Sequence, residues 1–381
     1  MEKTVIDIRI NQPVIALVGN PIYADIALQN EETGEKLGNQ LIHFELLEGD
    51  KLLYSGVAVT DLTGMASIQF SELLQQICSK PEFIHGEVFT ERPDLRRDYT
   101  LTVRLENGEA SYSATVIYGC IPNRMLRYLR QRNSNIFTYK FLNKRANFLG
   151  ITRSGGKEIQ IFESELLPVM GIGTGDKLVI TGEKGSVSYE SHYLRPYQIN
   201  LPEICALCGP KMSFRLGGEE SVSINVVSNP ESLSCQLFEY RNTFGHFERF
   251  LATGNTTLQA DADSQNTSGV YDKECDLFVP IEQYPEYELT RTIPTGYLSA
   301  DRINALRAIL ASEEVYLIKD NTRERVLVSS SDKIPEMILE PFNMNLTVKS
   351  CSSDTGYIPD LNSDDYSDPR LHDEYFNKNY N

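Results

Sequence analysis

The first 118 residues consist of short segments whose apolar residues recur at every second position or form brief buried runs, separated by glycine-containing turns. Both patterns are typical of strands. The segments that fit are VIDIRI, IYADIALQN, LIHFELLEG, LLYSGVAVT, ASIQF, GEVFTE, YTLTVRLEN and YSATVIYG. About eight short strands in a segment of this length predict a two-sheet sandwich of immunoglobulin-like size. We expect this domain at residues 1–119, with one short helix capped by Ser71.

Residues 120–157 differ from their surroundings because they are basic, and we interpret them as a connecting segment. Nine Lys and Arg residues fall between 124 and 157 without a single Asp or Glu. Met125, Leu126 and Leu129 lie at helical spacing, and NIFTYKFLN resembles a strand. Aromatic residues alternate with the charges, so the segment could contact an acidic protein surface, lie in solvent or bind a single-stranded nucleic acid.

Residues 158–351 return to strand patterns and predict a second β-rich domain. The segments include EIQIFESEL, KLVITG, GSVSYE, MSFRL and SVSINVV. A helix is predicted over 299–312, where Ser299 is a suitable N-cap and Ile303, Leu306 and Ile309 form an apolar stripe. The strand VYLI follows it. The fold class is therefore mainly β, with an N-terminal immunoglobulin-like sandwich followed by a β-rich domain with one late helix.

The last segment, 352–381, has no apolar periodicity. It carries seven acidic residues against two basic ones, together with four tyrosines and one phenylalanine. Such a composition is typical of an extended tail, while the aromatic residues favour docking onto a partner. The predicted subunit contacts, in the basic segment and this tail, are Arg124, Arg127, Arg130, Arg132, Lys140, Lys144, Arg145, Tyr357, Tyr366, Tyr375 and Phe376.

The segment QLFEYRNTFGHFERFLATG, residues 236–254, is the densest group of aromatic and charged residues in the chain. Gly245 suits a turn between two strands, so we interpret the segment as a hairpin. Its residues Tyr240, Phe244, His246 and Phe247 could form a platform on which a sugar stacks, or they could be structural. An exposed coplanar set would favour sugar binding, whereas buried side chains would favour the structural interpretation. A histidine at a hairpin tip is expected to be exposed.

Candidate chemistry is sparse, and we expect no enzyme activity, cofactor or metal. Cys205 and Cys208 have the spacing of half a zinc site or of a redox pair, but no second such motif is present, so we interpret them as core or loop cysteines, with a metal site and a redox pair as the alternatives. The loop GIGTGD, 171–176, is followed by a strand rather than by the helix that a phosphate site requires, so we interpret it as a turn. A formal net charge of −17 disfavours nucleic acid as a partner.

The sequence also bears on the cellular location of the protein. The N-terminal residues alternate apolar and polar positions and lack the profile of a signal peptide. No run approaches the ~18 apolar residues that span a bilayer. We therefore expect a protein made and folded in a cytoplasm, with no membrane partner.

Three segments resemble structural proteins of phage and prophage virions, of the tail or baseplate type, from Bacteroides-like bacteria. They are GNPIYADIAL with FELLEGDKLLYSGVAVTDLTGMASIQFSELL, the aromatic hairpin EYRNTFGHFERFLATG, and the helix-to-strand run YLSADRINALRAILASEEVYLIKD. The resemblance implies a non-enzymatic subunit of a multi-chain particle, located in the virion. Other virion subunits and further copies of the chain are its expected partners. The alternative function is a glycan-binding module or adhesin.

Overall fold

The chain forms three folded bodies, each with its own hydrophobic core. The computed structural model describes residues 3–132, 148, 158–218, 222–231, 235–263, 267–274, 276–282, 286–298, 302–319, 322–334 and 342–351. The mainly β fold class is confirmed. A fourth apolar cluster lies where the bodies meet. The Ser299 and Asp301 positions of the predicted helix start lie outside the described residues.

The first body is a sandwich of a three-stranded and a five-stranded sheet. Its strands are β1 (Thr4–Ile10), β2 (Ile15–Leu17), β3 (Tyr23–Asn30), β4 (Leu41–Glu48), β5 (Lys51–Val59), β6 (Met65–Gln69), β8 (Arg96–Leu105) and β9 (Gly108–Ile117). The sheet orders are β1-β3-β6 and β2-β9-β8-β4-β5, with β2 parallel to β9. In immunoglobulin lettering these are A-B-E and G-F-C-C′ with one added strand beside G. The immunoglobulin-like sandwich is thus confirmed.

The second body is a smaller sandwich that repeats the five-stranded sheet of the first. Its strands are β10 (Glu158–Phe162), β11 (Val169–Ile172), β12 (Lys177–Gly182), β13 (Ser186–Glu190), β14 (Pro196–Ile199), β15 (Lys211–Leu216) and β16 (Val222–Val227). The order β10-β16-β15-β12-β13, with β10 parallel to β16, matches the five-stranded sheet of the first sandwich. No internal repeat is visible in the sequence, because the two sandwiches share strand order but not residues.

The strand β7 (Phe89–Glu91) connects the two sandwiches. It comes from the connection between β6 and β8, and therefore from the first sandwich in sequence. In space it pairs antiparallel with β14 and completes the sheet β11-β14-β7 of the second sandwich. Assigning GEVFTE to the first sandwich is therefore wrong, since its hydrogen-bonding partner is about a hundred residues away. In immunoglobulin lettering, β7 occupies the D position beside E.

The third body is a seven-stranded antiparallel sheet, called here the C-terminal sheet. Its order is β18-β17-β23-β24-β25-β22-β19, and a separate hairpin is formed by β20 and β21. The strands are β17 (Gln236–Arg241), β18 (Phe247–Ala252), β19 (Thr257–Asp263), β20 (Thr267–Asp272), β21 (Leu277–Glu282), β22 (Glu286–Pro294), β23 (Val315–Lys319), β24 (Thr322–Ser329) and β25 (Asn345–Ser350). The hairpin predicted at 236–254 is confirmed as β17 and β18.

Four helices cover or join these sheets within the described residues: α1 (Ser71–Ile77), α2 (Asn123–Gln131), α3 (Leu201–Cys208) and α4 (Ile303–Ala311). α1 and α3 occupy equivalent connections in the two sandwiches, between strands E and F. Ser71 does not cap α1: its hydroxyl accepts a hydrogen bond from the Ile22 N–H at 2.8 Å, and Phe70 holds the N-cap position without a side-chain bond. α4 buries Ile303, Leu306 and Ile309 against the C-terminal sheet, as its stripe predicts.

Candidate interaction surface

The two segments that the sequence marks as unusual, the basic helix and the aromatic hairpin, meet at one place, called here the junction. It is the apolar cluster between the three bodies, built around Ile15, Leu17, Leu95, Ile117, Ile121, Leu129, Met170, Ile172 and Leu194. Leu126 of α2 and Phe244 of the hairpin turn both pack against it. Nothing in the sequence pattern indicates this proximity, because the two segments are more than a hundred residues apart.

α2 is amphipathic, and the two faces have different roles. Leu129 is buried in the junction, and Met125 and Leu126 pack against the same cluster. Arg124 and Arg127 lie on the exposed face. The helix therefore fixes its apolar face inside the protein and presents arginines to solvent, as the helical spacing of the apolar residues predicts.

The arginines of α2 differ in what they bind. Arg130 donates to an Asp25 carboxylate at 3.2 Å, hydrogen-bonds the Tyr23 hydroxyl and lies 5.0 Å from the centre of the Tyr23 ring. Arg132 stacks over Tyr128 at 4.7 Å. Arg124 and Arg127 contact no acidic group in the described part of the chain. In a molecule of net charge −17, these two arginines thus have no counter-charge among the residues that the structure describes.

Several predicted contact residues have no described position. Lys140, Lys144, Arg145, Tyr357, Tyr366, Tyr375 and Phe376 lie outside the described residues. Of the aromatic residues between 133 and 157 only Phe148 is described, and it is buried in the second core, edge-on to Phe214 with ring centres 5.5 Å apart. Phe148 therefore does not belong to an exposed stacking surface.

The hairpin is buried on both faces. On one face Phe238, Tyr240 and Phe250 belong to the core of the C-terminal sheet. On the other face Phe247 is also buried, under the guanidinium of Arg241 at 4.0 Å from its ring centre. With Tyr240 and Phe247 enclosed, this hairpin does not offer the exposed aromatic platform that the sugar-binding alternative requires.

The hairpin turn inserts against the first sandwich. The Cys120 N–H donates to the Thr243 carbonyl at 2.9 Å. Gly245 has φ of +78° and lies so close to Tyr118 that an added Cβ would come within 2.5 Å of its ring. Both the backbone conformation and the space therefore require glycine at position 245. The turn that was predicted from this glycine is also the contact that joins two bodies.

His246 is enclosed rather than exposed, contrary to the sequence-based expectation. Its side chain is 2% exposed, and its Nδ1 atom has no hydrogen-bond partner. Burial, with the positive charges of Arg92 and Arg241 nearby, lowers the pKa of His246 to about 3. A histidine with this pKa is neutral at neutral pH, and its position inside the junction keeps it away from any solvent-borne ligand.

Arg241 of β17 joins the C-terminal sheet to the connection between β6 and β8. Its guanidinium pairs with Glu314 beside β23 and with Glu82, which belongs to the connection that carries β7. It also donates to the carbonyls of Pro81 at 3.1 Å and Gly245 at 2.8 Å. Because the side chain is largely buried, these bonds orient the first sandwich against the C-terminal sheet.

A buried ion pair holds the second sandwich to the C-terminal sheet. Arg302, just before α4, donates to Glu165 at 2.6 Å, and the two side chains are 8% and 1% exposed. Glu165 also accepts the Leu251 N–H at 2.7 Å, and Arg302 donates to the Leu251 carbonyl at 3.1 Å. The Phe162 N–H of the second sandwich donates to the same carboxylate at 3.0 Å, so the carboxylate is bonded from both bodies. Neither residue belongs to a sequence motif, so sequence reasoning missed them.

The candidate cysteine pair lies at the end of α3. Cys208 is buried in the second core and Cys205 packs against it, and burial raises the pKa of both thiols. A redox pair is usually activated at a helix N-terminus, where the pKa of a thiol is lowered. Over the described residues no group of three or more His, Cys, Asp or Glu side chains is placed to hold a metal ion.

Comparisons with known proteins give little beyond the architecture. No protein-family model matches the chain, and no curated protein matches it. Of the described helices, none has the length and apolar character needed to cross a membrane.

Several solved structures are weakly similar. The bacterial integrin-binding protein invasin has 10% identity and a TM-score of 0.21, over 76% of this chain and 57% of invasin. The titin fragment I67–I69 has 8% identity and a TM-score of 0.19, over 77% and 93% of the two chains. Domains 3–5 of Drosophila OTK have 10% identity and a TM-score of 0.21, over 84% and 95%. Likeness at this level carries no information about function.

Proposed function

We propose that the chain is a non-enzymatic assembly subunit that packs against neighbouring subunits. In view of the sequence resemblance described above, we place it in a phage-like virion, in the tail, baseplate or connector region. The observation that carries the proposal is the exposed face of α2, which is anchored at the junction and on which Arg124 and Arg127 pair with no acidic group of the described residues. A rigidly held cationic helix in an otherwise acidic protein fits a contact with the acidic surface of a second subunit.

The architecture supports this proposal in a second way. The bodies are joined by a donated strand, a buried ion pair and an apolar cluster, so load applied to one body is transmitted to the others. Flexible linkers would instead allow independent motion of the domains. A subunit of this kind suits a ring or a tube, where neighbours must keep a fixed spacing.

The proposal is tested by the oligomeric state of purified protein. We expect native mass spectrometry and negative-stain electron microscopy to show oligomers of the full chain, or co-assembly with proteins encoded beside it. The variant Arg124→Glu/Arg127→Glu and a chain lacking 352–381 should both assemble less. Their melting temperatures should stay within about 2 °C of the parent, because exposed substitutions cost little stability.

A matched control is Arg215→Glu, which changes an exposed arginine on β15 of the second sandwich that, like Arg124 and Arg127, makes no ion pair with the described residues. This variant should assemble like the parent. A chain that stays monomeric at every concentration and with every co-expressed neighbour would refute the assembly function. Assembly that is insensitive to the α2 charges would refute the assigned surface.

A further inference from the structure

The three-stranded sheets of the two sandwiches differ at their outer strands: the first has β1 beside β3, and the second has β7 beside β14. In the second sandwich, β7 fills the position beside β14, and its Phe89 ring stacks on Tyr189 at 4.7 Å and contacts Tyr197 at 5.1 Å. The equivalent position in the first sandwich lies beside β6. β6 pairs with β3 on one side, and no described strand pairs with it on the other.

The hydrogen bonds between β6 and β3 show which backbone groups of β6 face its outer edge. Phe70 N–H donates to Ile22 and Leu28 N–H to Gly64, so the even-numbered residues from 64 to 70 bond to β3. The backbone N–H and C=O groups of successive residues point to opposite sides of a strand. Those of Met65, Ser67 and Gln69 therefore point to the outer edge, away from β3. Both backbone groups of Met65 are bonded to Asp61: the Met65 N–H donates to the Asp61 carboxylate, and the Met65 carbonyl accepts from the Asp61 N–H. Ser67 and Gln69 have no backbone partner among the described residues, which leaves room for a ladder as short as that of β7.

The surface around this edge is apolar. Leu62 is 82% exposed, and Met65 is also exposed. The neighbouring edge strand β5 exposes Tyr54, Val57 and Val59. Exposed edge strands with apolar side chains pair readily with other chains, and soluble proteins normally cover or charge them. The edge of β6 therefore has the character of a strand-binding site.

Charge near the edge indicates what kind of strand fits. Arg130 of α2 lies on Tyr23 and Asp25 of β3, and these residues are opposite Gln69 and Ser67 of β6. Adjacent strands are about 4.8 Å apart, so Arg130 on β3 lies about two strand spacings from a strand added to the outer edge of β6. Arg130 is paired with Asp25, and Arg124 and Arg127 of the same helix are the exposed positive charges that pair with no described acidic group. An acidic strand would gain from this placement, and a basic strand would be repelled.

We propose that the acidic segment 352–381 of a neighbouring copy adds a strand to β6, in the position that β7 takes in the second sandwich. This inference rests on the proposed assembly function and names its partner. The segment follows β25 and carries seven acidic residues, two basic residues and five aromatic rings. Extended, its 30 residues reach up to about 100 Å, enough to bridge two subunits. Strand addition uses backbone bonds for affinity and alternate side chains for specificity.

The test uses the full chain and a substitution at the open edge. Ser67→Pro removes the outward N–H without removing a bond to β3, whereas Ser67→Ala keeps the N–H and serves as the matched control. Light scattering over a range of concentrations should show the parent and Ser67→Ala as oligomers. Ser67→Pro should shift the dissociation concentration upward by about tenfold or more. Excess synthetic peptide of sequence 352–381 should dissociate the parent oligomer.

Hydrogen exchange of the unmodified chain gives a second measurement that does not depend on a variant folding. The amides of Ser67 and Gln69 should be protected in the oligomer and exchange faster after dilution. Protection that does not change with dilution would overturn the neighbouring-copy assignment, because the chain's own tail would then occupy the edge. If the peptide does not dissociate the oligomer and Ser67→Pro does not change the dissociation concentration, the inference is overturned, while the assembly function still stands. A chain that never assembles would remove the assembly function itself.

Discussion

The five-stranded sheets of the two sandwiches have the same strand order, yet among the described strands only the second sandwich has a filled D position. Both have a five-stranded sheet in which the first strand is parallel to the last, and both place a helix between strands E and F. The second receives β7 from the first, while the edge of β6 in the first stays open in the described structure. The second sandwich is therefore not one continuous segment of the chain. It is complete only with residues 89–91, which lie in sequence between strands of the first sandwich.

The two sandwiches also differ in how they are tied to the C-terminal sheet. The second is tied by the buried pair of Glu165 and Arg302. The first is tied through the hairpin turn and through Glu82, an exposed residue paired with Arg241. Because a buried charge depends strongly on its partner, the attachment of the second sandwich should be the more sensitive to a single substitution.

The largest effect is expected from Arg302→Met. The substitution leaves the Glu165 carboxylate buried without its counter-charge, so the free energy of unfolding should fall by about 3–5 kcal/mol. Chemical denaturation at neutral pH measures the loss. The matched control is Arg291→Met, since Arg291 pairs with Glu324 at 2.9 Å with both side chains about a third exposed. There the loss should stay below about 1 kcal/mol.

The double variant Glu165→Gln/Arg302→Met sharpens this test. It removes both charges, and stability should recover part of what Arg302→Met loses. An equal loss for Arg302→Met and Arg291→Met would mean that the buried pair does not hold the two bodies together.

A smaller effect is expected where the donated strand meets its host. Phe89→Ala removes the ring that stacks between Tyr189 and Tyr197, and should cost about 2–4 kcal/mol because a half-buried aromatic contact is lost. The corresponding change in the first sandwich is Tyr54→Ala. Tyr54 contacts Phe44 at 5.9 Å but is largely exposed, so its loss should cost about 1 kcal/mol.

The measurement is the change in free energy of unfolding for each variant, together with hydrogen exchange of β14. Phe89→Ala should speed exchange in β14, and Tyr54→Ala should not. If the two variants cost the same, β7 contributes no more to the second sandwich than an edge residue contributes to the first.

Much of the fold follows from sequence patterns, and the misses have a physical cause. The long strands of the first sandwich alternate between core and solvent, so period-2 patterns predict them. β11 and β14 are four residues each with every residue buried, and such runs have no alternation to detect. β7 was recognised as a strand, but its partner in another body could not be, since strand patterns do not encode the partner.

The sequence likewise predicts one part of the candidate site and not another. The apolar face of α2 follows from the spacing of Met125, Leu126 and Leu129. The burial of His246 does not follow, because a glycine turn at a hairpin tip normally lies in solvent. Only the insertion of that turn against Tyr118 and Cys120 encloses the histidine, and these contacts are far apart in sequence.

The smallest effect concerns the junction that both sandwiches share, and its readout is the pH dependence of stability. The pKa of His246 is lowered from 6.5 to about 3 in the folded chain, so the unfolded state binds the proton more tightly. This contribution is fully present above pH 6.5 and is lost as the pH falls towards 3. Between pH 7 and pH 5 the loss should be about 2 kcal/mol. His246→Gln lacks this titration, while the carboxylates contribute equally to both proteins. The free energy of unfolding should therefore fall less steeply in the variant, whatever its absolute stability. Identical slopes in the two proteins would show that the imidazole is accessible to protons in the folded state, and that the junction is looser than the contacts around His246 require.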